Sequence, residues 1–325
     1  MPSGLPDCSL AIGPWRAERP PPPSFQALEM IRRFDSLAAR AMSLCSAILL
    51  SGCARSMPLL DTAGPIGSAE KSLIFTAIGL MLVVAIPVFV LTAFIAWRYR
   101  ASNGKATYAP KWSHSWKLEC IVWGVPAVII VILGHLVWTD THALSPDKRL
   151  ASSEKPITVD VVSLNWKWLF VYPRDHIATV NRLVLPANVP VDFHITSDTV
   201  LSAFFIPRLG SMIYAMPGMQ TKLDLVADRT GAFTGRNYQF SGRGYSSMHF
   251  GVTVTSPAQY RAWVNKAQAS KNVLDAAALR RLEAPSTAAP VVIYSSVEPH
   301  IFEHVIDSFT TAKVATPKSH AGSET

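Results

Sequence analysis

The stretch Gly235–Phe250, GRNYQFSGRGYSSMHF, decides how the rest of the chain is interpreted. Its glycines predict a tight loop between two strands, because glycine lets the backbone fold back on itself. Four side chains follow one another in this loop at intervals of four, four and three residues: Asn237, Ser241, Tyr245 and Met248. This spacing is typical of a metal site, but amide, hydroxyl and phenol groups are poor ligands for a transition metal. The loop therefore has the shape of a metal site without its ligands.

The composition indicates a membrane component. Apolar residues make up 49% of the 325 and charged residues only 16%, whereas soluble proteins average about 25% charged residues. The net charge is +8, but five basic residues and no acidic one fall within residues 98–117, between two apolar runs. Basic residues in that position mark the cytoplasmic side of a membrane protein. We therefore expect no nucleic-acid partner.

The first 52 residues contain a proline-rich extension followed by an export signal. From Met30 onward, basic residues precede an apolar segment of about ten residues, which is too short to span a bilayer. The sequence Leu50-Ser51-Gly52-Cys53 resembles the lipobox of bacterial lipoproteins, whose cysteine is acylated after cleavage in front of it. The resemblance implies a lipid on Cys53 and an exported segment over residues 53–72. The alternative is an ordinary signal peptide with an incidental cysteine.

Two apolar runs predict a transmembrane hairpin. Residues 73–97 carry no charge, and as a helix they would be roughly 37 Å long, enough for a hydrocarbon core of about 30 Å. Residues 118–138 form the second span. The basic loop 98–117 is then cytoplasmic, and both termini face the outside. Glu119, at the cytoplasmic end of the second span, is either favoured by the helix dipole or an entry point for protons.

The character of the chain changes after the second span. Over residues 155–256, short β-branched and aromatic segments alternate with Pro, Gly, Asn and Asp, which predicts a β-sandwich or β-barrel. Residues 257–312 predict a helical arm that begins with proline at a helix start. Residues 313–325 are polar and predict a disordered tail.

Several short motifs together resemble subunit II of haem–copper respiratory oxidases. They are Asn165-Trp166-Lys167-Trp168, Pro207-x-Leu209-Gly210, Met216-Pro217-Gly218, and Lys117-Leu118-Glu119 followed by Trp123 and Pro126. The resemblance implies a fold of membrane α plus all-β class: a two-helix transmembrane hairpin, then a cupredoxin-like Greek-key β-barrel with C-terminal helices. It also implies a bacterial inner (plasma) membrane location, with both termini periplasmic. The implied partners are the lipid bilayer, the large oxidase subunit I, and subunits III and IV.

In the cytochrome c-oxidising branch of that family, the loop holds a dinuclear copper centre. Its motif is G-x-C-S-E-x-C-G-x-x-H-x-x-M, with another histidine five residues before the proline that matches Pro207. Gly235, Gly242 and Met248 agree with the motif. The remaining ligand-associated positions hold Ser202 and Tyr245 for the histidines, Asn237 and Ser241 for the cysteines, and Gln239 for the glutamate. A lone thioether cannot hold copper, so we expect Met248 to fill the core and Asn, Ser and Tyr to form a neutral hydrogen-bonded network.

This pattern resembles the quinol-oxidising branch of the family. There, quinol binds the large subunit, which also carries the haems and the oxygen-reducing copper. The resemblance implies an accessory subunit of a ubiquinol oxidase, without a cofactor or a catalytic residue of its own. In related oxidases a glutamate at the position of Glu119 lies at the mouth of a proton channel, which favours the proton-entry role.

The alternative hypothesis is a membrane-tethered, cupredoxin-like lipoprotein that acts as a binding module outside any oxidase. Its metal site could be His300 and His304, whose spacing predicts a shared helix face. Without a third ligand, a solvated pair is the simpler interpretation. We interpret His194 and His249 as isolated strand histidines.

Overall fold

The structure is a computed structural model, and it describes most of the chain after the predicted signal. The described ranges are 57–105, 114–146, 148 and 154–315, with side chains through residue 309. Cys53, the predicted signal and the last ten residues of the predicted tail lie outside the described residues.

Two long helices form the predicted hairpin. Helix α1 spans Pro65–Arg98 and helix α2 spans Trp116–Ala143. Both are long and apolar enough to cross a membrane. Helix α1 begins eight residues before the predicted span, since Pro65 is favoured in a first helical turn. Its added turns contact the β domain, as buried Ile66 and Gly67 show.

The segment before α1, residues 57–64, forms an N-terminal strap along the β domain. The backbone N–H of Ala63 donates to the carbonyl of Arg208 (2.6 Å), and the carbonyl of Ala63 accepts from the N–H of Asp228 (2.9 Å). A Cβ on Gly64 would lie 2.3 Å from the carbonyl oxygen of Val226. Only glycine therefore allows the strap to approach the β domain this closely.

Ten strands build the β domain between the hairpin and the arm. They are β1 Ile157–Leu164, β2 Lys167–Tyr172, β3 Ile177–Val180, β4 Arg182–Pro186, β5 Pro190–Ser197, β6 Ser202–Phe205, β7 Met212–Ala215, β8 Thr221–Val226, β9 Gly231–Asn237 and β10 His249–Thr255. They form two sheets, ordered β3-β2-β1-β5-β8 and β4-β10-β9-β6-β7. The β1–β5 and β4–β10 pairs are parallel, and the other pairs in these two orders are antiparallel. The hairpin and this two-sheet arrangement confirm the predicted fold class.

An aromatic cluster fills the core between the two sheets. Phe204 and Phe250 stack with ring centroids 5.3 Å apart. Trp168 lies edge-on to Phe204 at 5.4 Å, and Phe170 contacts Phe250 at 5.0 Å. All four side chains are buried. Phe250 is the second residue of β10, so the loop that precedes this strand is joined directly to the aromatic cluster.

The C-terminal arm is more mixed than predicted. Its residues 274–305 pack on the outer face of the first sheet, whereas Tyr260 and Val264 join the core between the sheets. It contains helices α3 Pro257–Gln268, α4 Ala276–Glu283 and α5 Ile301–Ala315, and also short strands β11 Val273–Leu274, β12 Val292–Tyr294 and β13 Ser296–Val297. Strand β12 pairs with β3 and so extends the first sheet. The helical prediction for 257–312 was therefore incomplete, because two- and three-residue strands have no detectable periodicity. Helix α5 also extends three residues into the predicted tail.

The Asn-Trp-Lys-Trp segment attaches the arm to the β domain. Lys167 is 1% exposed, and its Nζ donates to the carbonyl oxygens of Leu282 (2.7 Å) and Ala284 (2.8 Å). Asn165 Nδ2 donates to the carbonyl of Glu283 (2.8 Å). These carbonyls lie at the C-terminus of α4, where helical partners end. Burial lowers the pKa of the Lys167 ammonium.

Candidate functional site

The loop that opened the sequence analysis joins β9 to β10 at one end of the barrel. Arg236 pairs with His249 where the two strands enter the loop, and a single 3-10 turn, Tyr245–Ser247, precedes Met248. Asn237 and Met248 are both 2% exposed, whereas His249 is exposed. Neighbouring strand residues point to opposite faces, so His249 lies outside the candidate site.

Asn237 occupies the centre of the site. Its Oδ1 accepts hydrogen bonds from the backbone N–H groups of Ala203 (2.8 Å) and Gln239 (2.9 Å). Its Nδ2 donates to Ser241 Oγ (3.1 Å) and to Met248 Sδ (3.3 Å). The two backbone donors fix the orientation of the amide, so the N–H groups point toward the serine and the thioether.

Ser241 completes this network, and Tyr245 does not join it. Ser241 Oγ donates to Met248 Sδ at 3.8 Å. The ring of half-buried Tyr245 packs against Phe240, with centroids 5.7 Å apart. The Tyr245 hydroxyl has no hydrogen-bond partner within the described part of the chain. The prediction that tyrosine shares the network was wrong, because the 3-10 turn directs its ring onto the exposed Phe240.

Ser202 belongs to a neighbouring pair of hydroxyls. It starts strand β6, is 1% exposed, and its Oγ accepts from Ser163 Oγ at 2.8 Å. The next residue, Ala203, is the backbone donor to Asn237. The fold therefore brings the earlier loop and the later loop together, as the resemblance implied, but here through hydroxyl and amide contacts.

Trp166 covers the loop, a role that the sequence analysis did not identify. It adopts a left-handed backbone conformation with φ 61°, and its Nε1 donates to the carbonyl of Ser241 at 2.8 Å. A Cβ on Gly244 would lie 2.3 Å from Trp166 Cδ2. Gly244 therefore lets the ring lie flat on the loop, and the loop glycines could have indicated this close contact.

The donor set of the site does not fit a dinuclear copper centre. Copper in such a site needs thiolates and imidazoles, whereas this loop offers an amide, a hydroxyl and one thioether. The amide N–H of Asn237 donates to Met248 Sδ and so takes up a sulfur lone pair that a metal would need. The same N–H directs its partial positive charge toward the space where a cation would lie. Among the described residues, no group of three or more His, Cys, Asp or Glu side chains could hold a metal ion.

Glu119 lies in the first turn of α2, as predicted. Its side chain is 53% exposed, and its Oε1 lies 2.6 Å from Nδ1 of His114. The sequence analysis did not identify His114 as a neighbour, because His114 precedes the helix. The pair joins a carboxylate and an imidazole at the loop end of the hairpin.

Two of the histidine interpretations need correction. His194 is not isolated: its Nδ1 lies 3.2 Å from Asp160 Oδ1 and its Nε2 lies 3.5 Å from Asp192 Oδ2. The hydrogen bond to Asp160, reinforced by the charge of Asp192, raises the pKa of His194. His300 precedes α5 with φ 62°, so it does not share a helix face with His304.

The comparisons agree with this geometry. Residues 154–255 match the family described as cytochrome c oxidase subunit II, periplasmic domain, and residues 268–313 match the COX aromatic-rich motif. A cytochrome bo(3) ubiquinol oxidase subunit 2 from Pseudomonas putida is 47% identical over 278 residues, covering 85% of this chain and 88% of that protein. A ubiquinol oxidase subunit 2 from Acetobacter aceti is 46% identical over 278 residues, covering 85% and 90%.

Among solved structures, the periplasmic domain of subunit II of cytochrome oxidase from Bradyrhizobium japonicum aligns at a TM-score of 0.34 with 22% identity. That alignment covers 36% of this chain and 94% of that one. The matched oxidase domain and the membrane hairpin define the class of protein as subunit II of a terminal oxidase. Within that class, the long matches to the relatives show that the chain belongs to the ubiquinol oxidase subunit 2 family.

Proposed function

We propose that this chain is subunit II of a membrane-bound ubiquinol oxidase, an oxidoreductase that passes electrons from ubiquinol to oxygen and translocates protons. The observation that carries the proposal is the loop at Gly235–Met248, which keeps the backbone of a copper loop around an amide–hydroxyl–thioether network. A subunit without a copper relay cannot take electrons from a soluble cytochrome. The relatives named ubiquinol oxidase subunit 2 do not favour the alternative of a free-standing binding module.

The electron donor is tested on the purified, detergent-solubilised complex. We expect oxygen consumption with a soluble ubiquinol analogue and none with reduced cytochrome c, together with a haem spectrum from the large subunit. Oxidation of cytochrome c at a rate comparable to that of quinol would contradict the proposal.

The absence of copper from this chain is tested on the full chain purified apart from the complex. We expect no bound copper after loading with copper salt, because the site lacks thiolates. The matched variant restores the oxidase motif through Ser202→His, Asn237→Cys, Gln239→Glu, Ser241→Cys and Tyr245→His. It should gain copper and a thiolate absorption band, since the loop backbone is already in place. Stoichiometric copper in the unsubstituted chain would refute this part of the proposal.

Glu119 is the residue to which we assign proton entry. It is exposed at the loop end of α2, and its contact with Nδ1 of His114 joins two groups between which a proton can pass. Glu119→Ala should slow proton uptake during oxygen reduction several-fold while the haem content of the complex stays unchanged. Normal proton uptake in a fully assembled Glu119→Ala complex would remove this role.

We assign lipidation to Cys53 from the lipobox-like sequence Leu50-Ser51-Gly52-Cys53. Lys71 Nζ donates to the carbonyl of Leu60 at 2.7 Å, so the strap is attached beside the last charged residue before the apolar part of α1. Intact-mass measurement should show acyl chains on the native chain and none on Cys53→Ser.

The basic loop between the helices supports a cytoplasmic location for that loop and periplasmic termini. Cysteine placed at Lys105 should react with a membrane-impermeant reagent only after the cells are opened. The principal partner is the large haem-bearing subunit I, which packs beside the exposed apolar faces of α1 and α2. Subunits III and IV complete the proposed assembly. Co-purification with a tagged chain tests all three partners.

A further inference from the structure

An apolar groove lies between the two helices at the barrel end of the hairpin. Its volume is about 390 Å³, within the range of about 300–1,000 Å³ typical of small-ligand sites. Leu73 and Ala77 of α1 form one wall, and Leu133 and Leu136 of α2 form the other. The groove is partly open to the surface of the hairpin.

The groove begins at the membrane surface and runs inward. Lys71 is the last charged residue of α1 before residues 73–97, which carry no charge. On α2, the run without Asp, Glu, Lys or Arg ends at Asp140. The distance along α2 from Leu133 to Asp140 is about 10 Å at 1.5 Å per residue. The groove therefore occupies the outermost third of the hydrocarbon core, where an acyl chain meets its headgroup.

One carboxylate and one hydroxyl interrupt the otherwise apolar lining of the groove near its outer end. They belong to Asp140 and Thr141, about one turn before Leu144, which lines the end nearest the barrel, and the Asp140 side chain is half-buried. Within residues 57–105, 114–146 and 154–309, no lysine, arginine or histidine forms an ion pair with Asp140. A carboxylate at this depth favours a cationic partner, because ionised groups at the membrane edge are costly when unpaired.

We propose that this groove binds a phospholipid with a primary-amine headgroup, a phosphatidylethanolamine. One acyl chain fills the groove between Leu73, Ala77 and Leu136, and the headgroup ammonium pairs with the Asp140 carboxylate. The Thr141 hydroxyl near the outer end of the groove is placed to donate to the headgroup phosphate. The proposed lipid site does not involve the Gly235–Met248 loop, and it does not depend on which molecule donates electrons to the oxidase.

Charge separates this occupant from the competing ones. An anionic phosphatidylglycerol has the same chains and the same phosphate but lacks the ammonium, so it leaves the Asp140 carboxylate unpaired. A quinone tail would fit the apolar walls, but its head carries no positive charge. A helix from another subunit would leave the carboxylate buried unless it brought a basic residue to exactly this depth.

The test uses the full chain in a mild detergent, titrated with palmitoyl-oleoyl phosphatidylethanolamine or the phosphatidylglycerol with the same chains. Native mass spectrometry counts the bound lipid. We expect the ethanolamine lipid to bind about fivefold more tightly, the effect of one charge pair near a membrane surface. The isosteric Asp140→Asn should abolish the preference, and Ala77→Trp should reduce binding of both lipids by filling the groove.

The matched control is Val131→Trp, a change at an exposed position on the opposite side of α2, which should keep the preference. Equal affinities in the native chain, or an unchanged preference in Asp140→Asn, would overturn the proposal. Displacement of the bound lipid by ubiquinone would overturn it in favour of a quinone site. In the assembled complex, Asp140→Asn should lose one phosphatidylethanolamine; equal content in the two complexes would mean that a protein helix covers the groove.

Discussion

Replacing Lys167 by methionine should detach helix α4 from the β domain. Methionine keeps the length and much of the volume of the lysine stem, so it leaves little cavity. It removes both Nζ hydrogen bonds to the carbonyl oxygens of Leu282 and Ala284. Each of these half-buried hydrogen bonds has a charged donor, and losing one costs about 1.5–3 kcal/mol. Removing the buried ammonium offsets part of this cost, because its desolvation was unfavourable.

We expect a net loss of about 2–3 kcal/mol in the stability of the closed arm, which raises the population of its open state by about 30- to 150-fold. Hydrogen exchange of the backbone amides in residues 276–284, measured by mass spectrometry on the full chain, reports this population directly. The control is Lys155→Met, which alters an exposed lysine just before β1. A change of less than threefold in exchange for Lys167→Met would refute the reasoning.

The pH dependence provides a second check on Lys167. Burial lowers its pKa in the folded state, so between that value and the ordinary value near 10.4 the unfolded chain binds more protons than the folded chain. Over this window Lys167 makes the folded state more stable as the pH rises. The buried tyrosines Tyr172 and Tyr260, whose pKa values are raised, contribute equally to the pH dependence of the native chain and of Lys167→Met. The difference between native chain and Lys167→Met therefore isolates the lysine.

Three further predictions concern the loop, the histidine cluster and the strap. Gly244→Ala should destabilise the β domain by about 1–3 kcal/mol, since its Cβ would meet the Trp166 ring at 2.3 Å. Urea unfolding followed by tryptophan fluorescence measures this loss of stability. The control is Gly251→Ala, which has open space around its Cβ and should be near neutral. The raised pKa of His194 gives stability that is complete below pH 6.5 and lost as the pH rises through the folded value. His194→Gln should therefore reduce the pH-dependent change in the free energy of unfolding across that window by up to about 1 kcal/mol. His249→Gln, at an exposed position, should leave that change as it is in the native chain. Asp61 pairs with Arg208 and with Arg229 (2.5 Å), so Asp61→Asn should speed proteolysis within the strap; an unchanged cleavage rate would show that the backbone contacts of Ala63 are sufficient.

The sequence predicts the hairpin and the barrel because both rest on strong local signals. A long uncharged run has few alternatives to a membrane helix, and alternating strands separated by turn residues define a sandwich. The spacing of Asn237, Ser241 and Met248 also predicts their contact, since the loop glycines fix its backbone. These features depend on residues close together in the chain.

Two of the contacts that were missed join residues distant in sequence. Trp166 lies 75 residues from its acceptor Ser241, and Lys167 lies 115 residues from Leu282. No periodicity connects such positions. Tyr245 was misplaced for a different reason: side-chain chemistry suggested a polar role, whereas ring packing against Phe240 decided its orientation. The short strands of the arm depend on pairing with β3 and with each other, which their own residues do not reveal.

The close fit of Gly64 and Gly67 against the β domain has a consequence for the response to the lipid environment. The uncharged part of helix α1, residues 73–97, is roughly 37 Å long at 1.5 Å per residue and exceeds a hydrocarbon thickness of about 30 Å. A helix longer than the bilayer adjusts to thickness by tilting. Because the first turn of α1 is bound to the barrel through backbone hydrogen bonds, the barrel turns with it. Bilayer thickness therefore sets the angle at which the exported domain stands above the membrane.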